Sequence, residues 1–158
     1  MWKKIKPYVF SILIAFAVGG LSALLTRNSM NLYDEVKKPF LAPPGIVFPI
    51  VWTILFALMG FSAARIWILR KKAPEEARQG LWWYGFNLFL NFGWTLIFFR
   101  LRTFLIALIW LVILGLVIFA MIRSFRRIDK LAGNLQIPYL IWVAFACYLN
   151  AATWLLNR

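Results

Sequence analysis

Five long stretches of this chain carry no charged residue, and short charged segments separate them. They run from Pro7 to Thr26, Pro39 to Ala64, Gln79 to Phe99, Thr103 to Ile122 and Leu131 to Asn157, with 20, 26, 21, 20 and 27 residues. A helix rises about 1.5 Å per residue, so about 20 residues span a hydrocarbon core about 30 Å thick. Inside lipid the backbone must satisfy its own hydrogen bonds, which leaves the helix as the form such runs can take. The pattern predicts an all-α integral membrane protein, a single-domain bundle of five transmembrane helices over residues 7–26, 45–70, 79–99, 103–126 and 134–156. A loop over 28–44 precedes the second helix. The second and fifth runs exceed one span, so part of each is expected in a loop or a tilted end.

Composition narrows the chemistry. Of the 158 residues 63% are hydrophobic, and the mean hydropathy is +0.78. No histidine is present, which removes the commonest metal ligand and the usual general base. The single cysteine, Cys147, precludes an internal disulfide and reads as a packing residue. The five acids (Asp34, Glu35, Glu75, Glu76, Asp129) all lie between the apolar runs. Ion-coupled carriers ordinarily place an ionisable group within the membrane, and acid–base hydrolysis needs one at the site, so neither class is favoured. No metal site and no required cofactor is expected. The net charge of +13 would suggest nucleic acid in a soluble protein, but here the basic residues flank apolar runs. Twelve of the eighteen fall at the N-terminus or in the second and fourth loops. The positive-inside rule then puts the N-terminus in the cytoplasm and the C-terminus outside. The pattern Ala15-Phe16-Ala17 resembles a signal-peptidase site, yet the apolar run continues to Leu25, long enough to be retained as a helix. Five spans do not divide into matching halves, which counts against inverted-repeat transporters.

The segment Lys38 to Gly60, KPFLAPPGIVFPIVWTILFALMG, has four prolines at its mouth and Trp52 well inside it. Membrane Trp residues ordinarily sit at the interface, as expected for Trp2, Trp67, Trp82 and Trp83; Trp110 is expected to face lipid. Polar and aromatic residues elsewhere recur on single helical faces: Tyr84, Asn87, Asn91, Trp94 and Phe98 in the third run, and Tyr139, Trp142, Ala146, Asn150 and Thr153 in the fifth. Phe48, Trp52 and Phe56 align in the second. Unpartnered amides are costly in hydrocarbon, so these faces should point inward. Trp52, Asn91 and Trp142 lie 13, 13 and 12 residues from the nearest cytoplasmic charge and so share one level. Aromatic walls with a few hydrogen-bonding groups suit a large planar ligand, with Ala146 leaving room; the same residues could instead only pack helix to helix. In the first loop Asn31 is expected to cap a short helix through Val36, with Asp34 completing a capping box and Tyr33 on that helix; the loop reads equally as a lid over the bundle mouth or as a plain amphipathic connector. The small residues Ala15, Gly19, Ala23, Gly60 and Ala64 could serve a dimer interface or packing within one subunit.

These segments resemble the TspO/MBR family of tryptophan-rich sensory and translocator proteins. The resemblance rests on KPFLAPPGIVFPIVWTILFALMG, NLFLNFGWTLIFF and PYLIWVAFACYLN, in order, and covers nearly the whole chain. It implies a five-helix bundle, usually a homodimer, in a membrane, here expected to be a bacterial cytoplasmic membrane. It implies binding of porphyrins, haem-related tetrapyrroles and isoquinoline or benzodiazepine-type drugs. By position, the site would take in Tyr33, Pro43, Pro44, Trp52, Asn87, Asn91, Trp142, Ala146 and Asn150; the aromatic faces add Phe48 and Trp94. In some members Trp at the positions of Trp52 and Trp142 is tied to light-dependent breakdown of protoporphyrin IX. Asn87 stands where many members carry Gln. The cholesterol-recognition pattern is not met, because Tyr148 lies ten residues from Arg158. The expected function is a tetrapyrrole-binding membrane receptor or sensor, with a porphyrin photo-oxidising enzyme or a facilitated transporter of lipophilic molecules as alternatives.

Overall fold

The computed structural model describes residues 1–158, and every regular element in it is helical. Five helices are long: α1 (Trp2–Thr26), α3 (Val47–Leu69), α4 (Pro74–Thr95), α5 (Phe104–Ile128) and α7 (Ile137–Leu156). Two are short, α2 (Leu32–Glu35) in the first loop and α6 (Lys130–Asn134) after α5. Four regions are long and apolar enough to cross a membrane, namely those containing α1, α3, α5 and α7. Large apolar side chains cover the outside of the bundle, among them Leu13, Ile54, Ile109, Leu116 and Ile141. A helix bundle that is apolar on its outer face is solvated by lipid. The protein is a multi-pass integral membrane protein.

Proline sets two of the helix starts. Pro74 opens α4, five residues before the expected start, followed by Glu75 and Glu76 at the positive end of the helix dipole. Pro138 lies in the first turn of α7, so the helix begins there rather than kinking, and the segment before it folds separately as α6. Asp129 caps α6 by accepting from the Leu131 amide at 3.0 Å, and it pairs with Arg65 at the end of α3.

The helices form a ring in the order α3, α1, α4, α5, α7. α5 supplies the packing surface of one side: Ala107, Leu111, Leu114, Ile118, Met121 and Phe125 are buried at alternating four- and three-residue steps. α1 and α3 approach through glycine. A Cβ on Gly60 would lie 2.5 Å from the Ile12 Cα, and one on Gly19 would meet the Phe56 ring at 2.6 Å. These glycines therefore join two helices of one subunit. α7 and α3 close the ring mainly through long side chains. Phe48 meets Trp142 and Trp52 meets Tyr139 edge to face, with centroids 5.8 and 6.1 Å apart. Beneath them the Gln136 amide donates to the Leu58 carbonyl and to Ser62.

Two expectations are corrected. Asn31 precedes α2, but its backbone is already helical (φ −62°, ψ −18°) and its side chain makes no cap, so the capping box does not form. Trp110 does not simply face lipid. Its indole N–H donates to the Leu90 carbonyl at 2.7 Å, and its ring lies over Gly93 in the α4–α5 seam.

Candidate functional site

Between α1, α3, α4 and α7, beneath the first loop, lies a cavity of about 510 Å³. This falls within the range of pockets that hold drug-sized ligands. Each element contributes one face. α1 gives a narrow wall of Gly19, Ser22, Ala23 and Thr26, and the two hydroxyls are spent on their own helix, donating to Val18 and Ser22 carbonyls at 3.1 and 2.7 Å. α3 gives Phe48, Trp52 and Phe56, and α7 gives Ala146, Asn150 and Thr153. α4 gives Asn91 and Trp94, then widens into a single π-helical turn, Leu96–Arg100, which directs Phe98 and Phe99 to the cavity. Such turns often mark functional sites.

The three amides beside the cavity, Asn87, Asn91 and Asn150, are bonded to protein groups. Asn91 Nδ2 donates to the Tyr139 hydroxyl oxygen at 2.9 Å, and that hydroxyl donates to Asn87 Oδ1 at 2.6 Å. Asn87 Nδ2 donates to the Tyr84 carbonyl at 3.2 Å. Higher up, Trp94 Nε1 donates to Asn150 Oδ1 at 3.2 Å, and Asn150 Nδ2 donates to the Phe104 carbonyl at 2.8 Å. The chains tie α4 to α7 and α7 to α5, so the amides hold the walls at a fixed spacing. The cavity itself is left aromatic and nearly free of charge. Its one charged lining residue, Asp34, is exposed on the loop.

Seven of the eleven sequence-derived site residues line this cavity: Tyr33, Phe48, Trp52, Asn91, Trp94, Ala146 and Asn150. Asn87 lies beneath the floor, fully buried, and reaches the cavity only through Tyr139 and Asn91. Pro43 and Pro44 shape the loop, with the Pro43 carbonyl accepting from the Tyr33 hydroxyl. Trp142 stands behind Phe48, outside the lining, and its buried indole N–H has no partner. The α1 wall and Phe99 were not among the expected site residues. The small-residue stripe on α1 carried the signal for the first; a π-turn has no sequence signature that would give the second.

The loop is fastened at several points. Glu35 pairs with Arg102 at 3.0 Å, and Asn157 holds the Lys37 backbone through bonds of 3.0 and 3.2 Å. Lys38 lies 4.6 Å from the Tyr33 ring centroid. Burial, and then the negative charge of Asp34, push the Tyr33 phenol above its ordinary pKa.

The model of the TspO/MBR family matches residues 11–155. The chain belongs to the TspO/MBR family. It is 35% identical over 158 residues to the tryptophan-rich protein TspO of Chlorobaculum tepidum, covering 99% of each chain. It is 40% identical over 125 residues to the protein CrtK of Rhodobacter capsulatus, covering 79% of this chain and 78% of that one. It is 34% identical over 146 residues to the translocator protein of Sus scrofa, covering 90% and 85%. In this TspO/MBR protein, the segment with four prolines forms the loop over the cavity and the start of α3, and the inward faces of α4 and α7 supply the cavity's polar ties.

Proposed function

We propose that this TspO/MBR protein is a membrane receptor or sensor that binds a planar hydrophobic ligand, a tetrapyrrole such as protoporphyrin IX or an isoquinoline or benzodiazepine-type compound, in the cavity beneath the first loop. The observation that carries this reading is a cavity of about 510 Å³ walled by Phe48, Trp52, Trp94 and Phe98, whose amides are tied off by protein hydrogen bonds. Such a site gains most from a flat apolar body, and its only charge is Asp34, exposed on the loop. Trp52 is its reporter. Titration with protoporphyrin IX should quench Trp fluorescence saturably in the wild type and with at least about tenfold weaker affinity in Trp52→Ala, a loss of about 1.4 kcal/mol. Non-saturable quenching, or equal affinity in the variant, would sink the site.

The topology that fits this reading has all five long helices crossing a bacterial cytoplasmic membrane, with the N-terminus inside. α4 is 22 residues long and packs between α1 and α5, and its lower hydropathy comes from Glu75, Glu76, Arg78 and Gln79 in its first turns together with Tyr84, Asn87 and Asn91, which it turns inward. Reaction of single cysteines at residues 76 and 101 with a membrane-impermeant reagent from opposite sides would support the fifth crossing. A homodimer is proposed from the family resemblance, and its test is the mass of the purified protein.

A porphyrin-oxidising photoenzyme has one observation in its favour: Trp52 in the cavity wall lies 6.3 Å from Trp94 and 6.1 Å from Tyr139, centroid to centroid, a row of oxidisable rings that can donate an electron to a photo-excited ligand, with dioxygen as the terminal oxidant. Illumination should then bleach bound protoporphyrin in the wild type and not in Trp52→Phe. Equal decay in both would leave the receptor.

A further inference from the structure

The turn Pro39–Ala42 presents two apolar side chains outward. Phe40 is 82% exposed and Leu41 65% exposed. Leu41 has φ 68°, the left-handed region that a branched side chain rarely occupies, so the turn holds its shape at a cost in strain. The position of the turn relative to α7 gives these facts a meaning. Lys37 is bonded at the C-terminal end of α7, to Asn157. Three residues later the Phe40 carbonyl accepts from the Tyr148 hydroxyl, and Tyr148 stands up to about 12 Å inside that end, at eight residues from Leu156. Helical aromatic side chains lean toward the N-terminus of their helix, here the deeper side, so the phenol does not lift the contact back to the end. The three-residue step can descend at most about 10 Å. The turn therefore runs down the outside of a helix apolar enough to cross the membrane, and it reaches the level of lipid with Phe40 and Leu41 facing away from the protein.

We propose that Phe40 and Leu41 are a membrane anchor, inserted at the boundary of headgroups and acyl chains in the leaflet next to the cavity mouth. This is an interaction surface for the lipid bilayer and does not depend on what the cavity binds. Most of the turn's backbone is provided for: Pro39, Pro43 and Pro44 have no N–H to leave unpaired, the Pro39 carbonyl accepts from the Ala42 amide at 3.2 Å, and the Phe40 and Pro43 carbonyls accept from Tyr148 and Tyr33. The Phe40 and Leu41 amides have no protein partner, which fits the headgroup boundary, where water and lipid oxygens can accept from them, and not the hydrocarbon core. The surface is continuous with the exposed apolar face of α7 formed by Ile141 and Tyr148. Lys37 and Lys38, just before the turn, lie on the headgroup side.

The test labels Phe40→Cys, in a Cys147→Ser background, with an environment-sensitive fluorophore in the full-length protein reconstituted into phosphatidylcholine–phosphatidylglycerol vesicles. Leu41→Cys provides a second position, and Glu76→Cys, exposed in a charged segment, is the aqueous control. At both turn positions blue-shifted emission is expected, with quenching by lipids spin-labelled high on the acyl chain at least about threefold stronger than at the control. Emission as in water, with iodide quenching equal to the control, would overturn the anchor. So would blue-shifted emission insensitive to the lipid spin labels, which would place the turn against a second copy of the chain.

Discussion

Tyr139 donates its hydroxyl proton to Asn87 at 2.6 Å, and the same oxygen accepts from Asn91. The three groups are buried, so each depends on the others for its hydrogen bonds. Tyr139→Phe removes one atom and leaves a buried acceptor on Asn87 and a donor on Asn91. It should destabilise the protein by about 1–3 kcal/mol, read as a lower midpoint in thermal or denaturant unfolding in detergent. Asn87→Leu with Tyr139→Phe should lose less than the sum of the single changes, because the pair is removed together.

Gly60, in the α1–α3 contact, and Gly85, in α4, should be opposite in effect when replaced by alanine. Gly60→Ala would drive a methyl group into the Ile12 backbone and should cost about 1–3 kcal/mol. A Cβ at Gly85, in the middle of α4, would meet nothing within 4 Å. Gly85→Ala should leave stability unchanged or raise it by about 0.5–1 kcal/mol. Unfolding midpoints of the two variants, compared with the wild type, check both statements.

Asp129 carries a pH dependence whose sign can be worked out. Burial raises its carboxyl, but the bonds from the Arg65 guanidinium and the Leu131 amide outweigh that, and the group sits below the usual carboxylate range. A depressed folded-state pKa gives stability that is present above the unfolded value, near pH 4, and is lost as pH falls through the folded one. Wild type should lose stability below about pH 4 more steeply than Asp129→Asn. At pH 7 the variant should be weaker by about 1–2 kcal/mol, a figure held down by the partial exposure of Arg65.

The two indoles expected to share a role are placed differently. Trp52 lines the cavity, while Trp142 is screened from it by Phe48. Trp52→Ala should therefore weaken ligand binding at least about tenfold, and Trp142→Phe should change it by less than about threefold. Fluorescence titrations of the two single variants with protoporphyrin IX decide this, and equal losses would mean that Phe48 swings aside when ligand enters.

The long apolar runs made the helices legible, because length and lack of charge are what lipid selects. The inward faces of α4 and α7 were legible for a related reason: Asn87, Asn91 and Asn150 have no acceptable place in lipid, so their spacing located the interior. What the sequence did not carry was the order of contacts within that interior. Equal counting along three helices put Trp52, Asn91 and Trp142 on one level, but level says nothing of azimuth, and a modest rotation of α7 turns Tyr139 and Ala146 inward and Trp142 toward the seam. The π-turn at Leu96–Arg100 adds one residue to a helical turn, so Phe99 joins Phe98 at the cavity, where three- and four-residue steps predict Phe98 alone. The Asn31 cap failed because backbone angle, not residue type alone, decides whether a side chain can cap.

The Asn157–Lys37 bonds join residues 120 positions apart in the chain. They set an order of assembly. Helices α1, α3, α4 and α5 are synthesised before α7 exists, yet without α7 the cavity lacks Ala146, Asn150 and the Tyr139 brace, and the loop above it has no Asn157 or Tyr148 to hold it. The binding site proposed above is thus a property of the completed chain: a nascent or truncated bundle would lack it, and saturable binding would report that the last helix is in place.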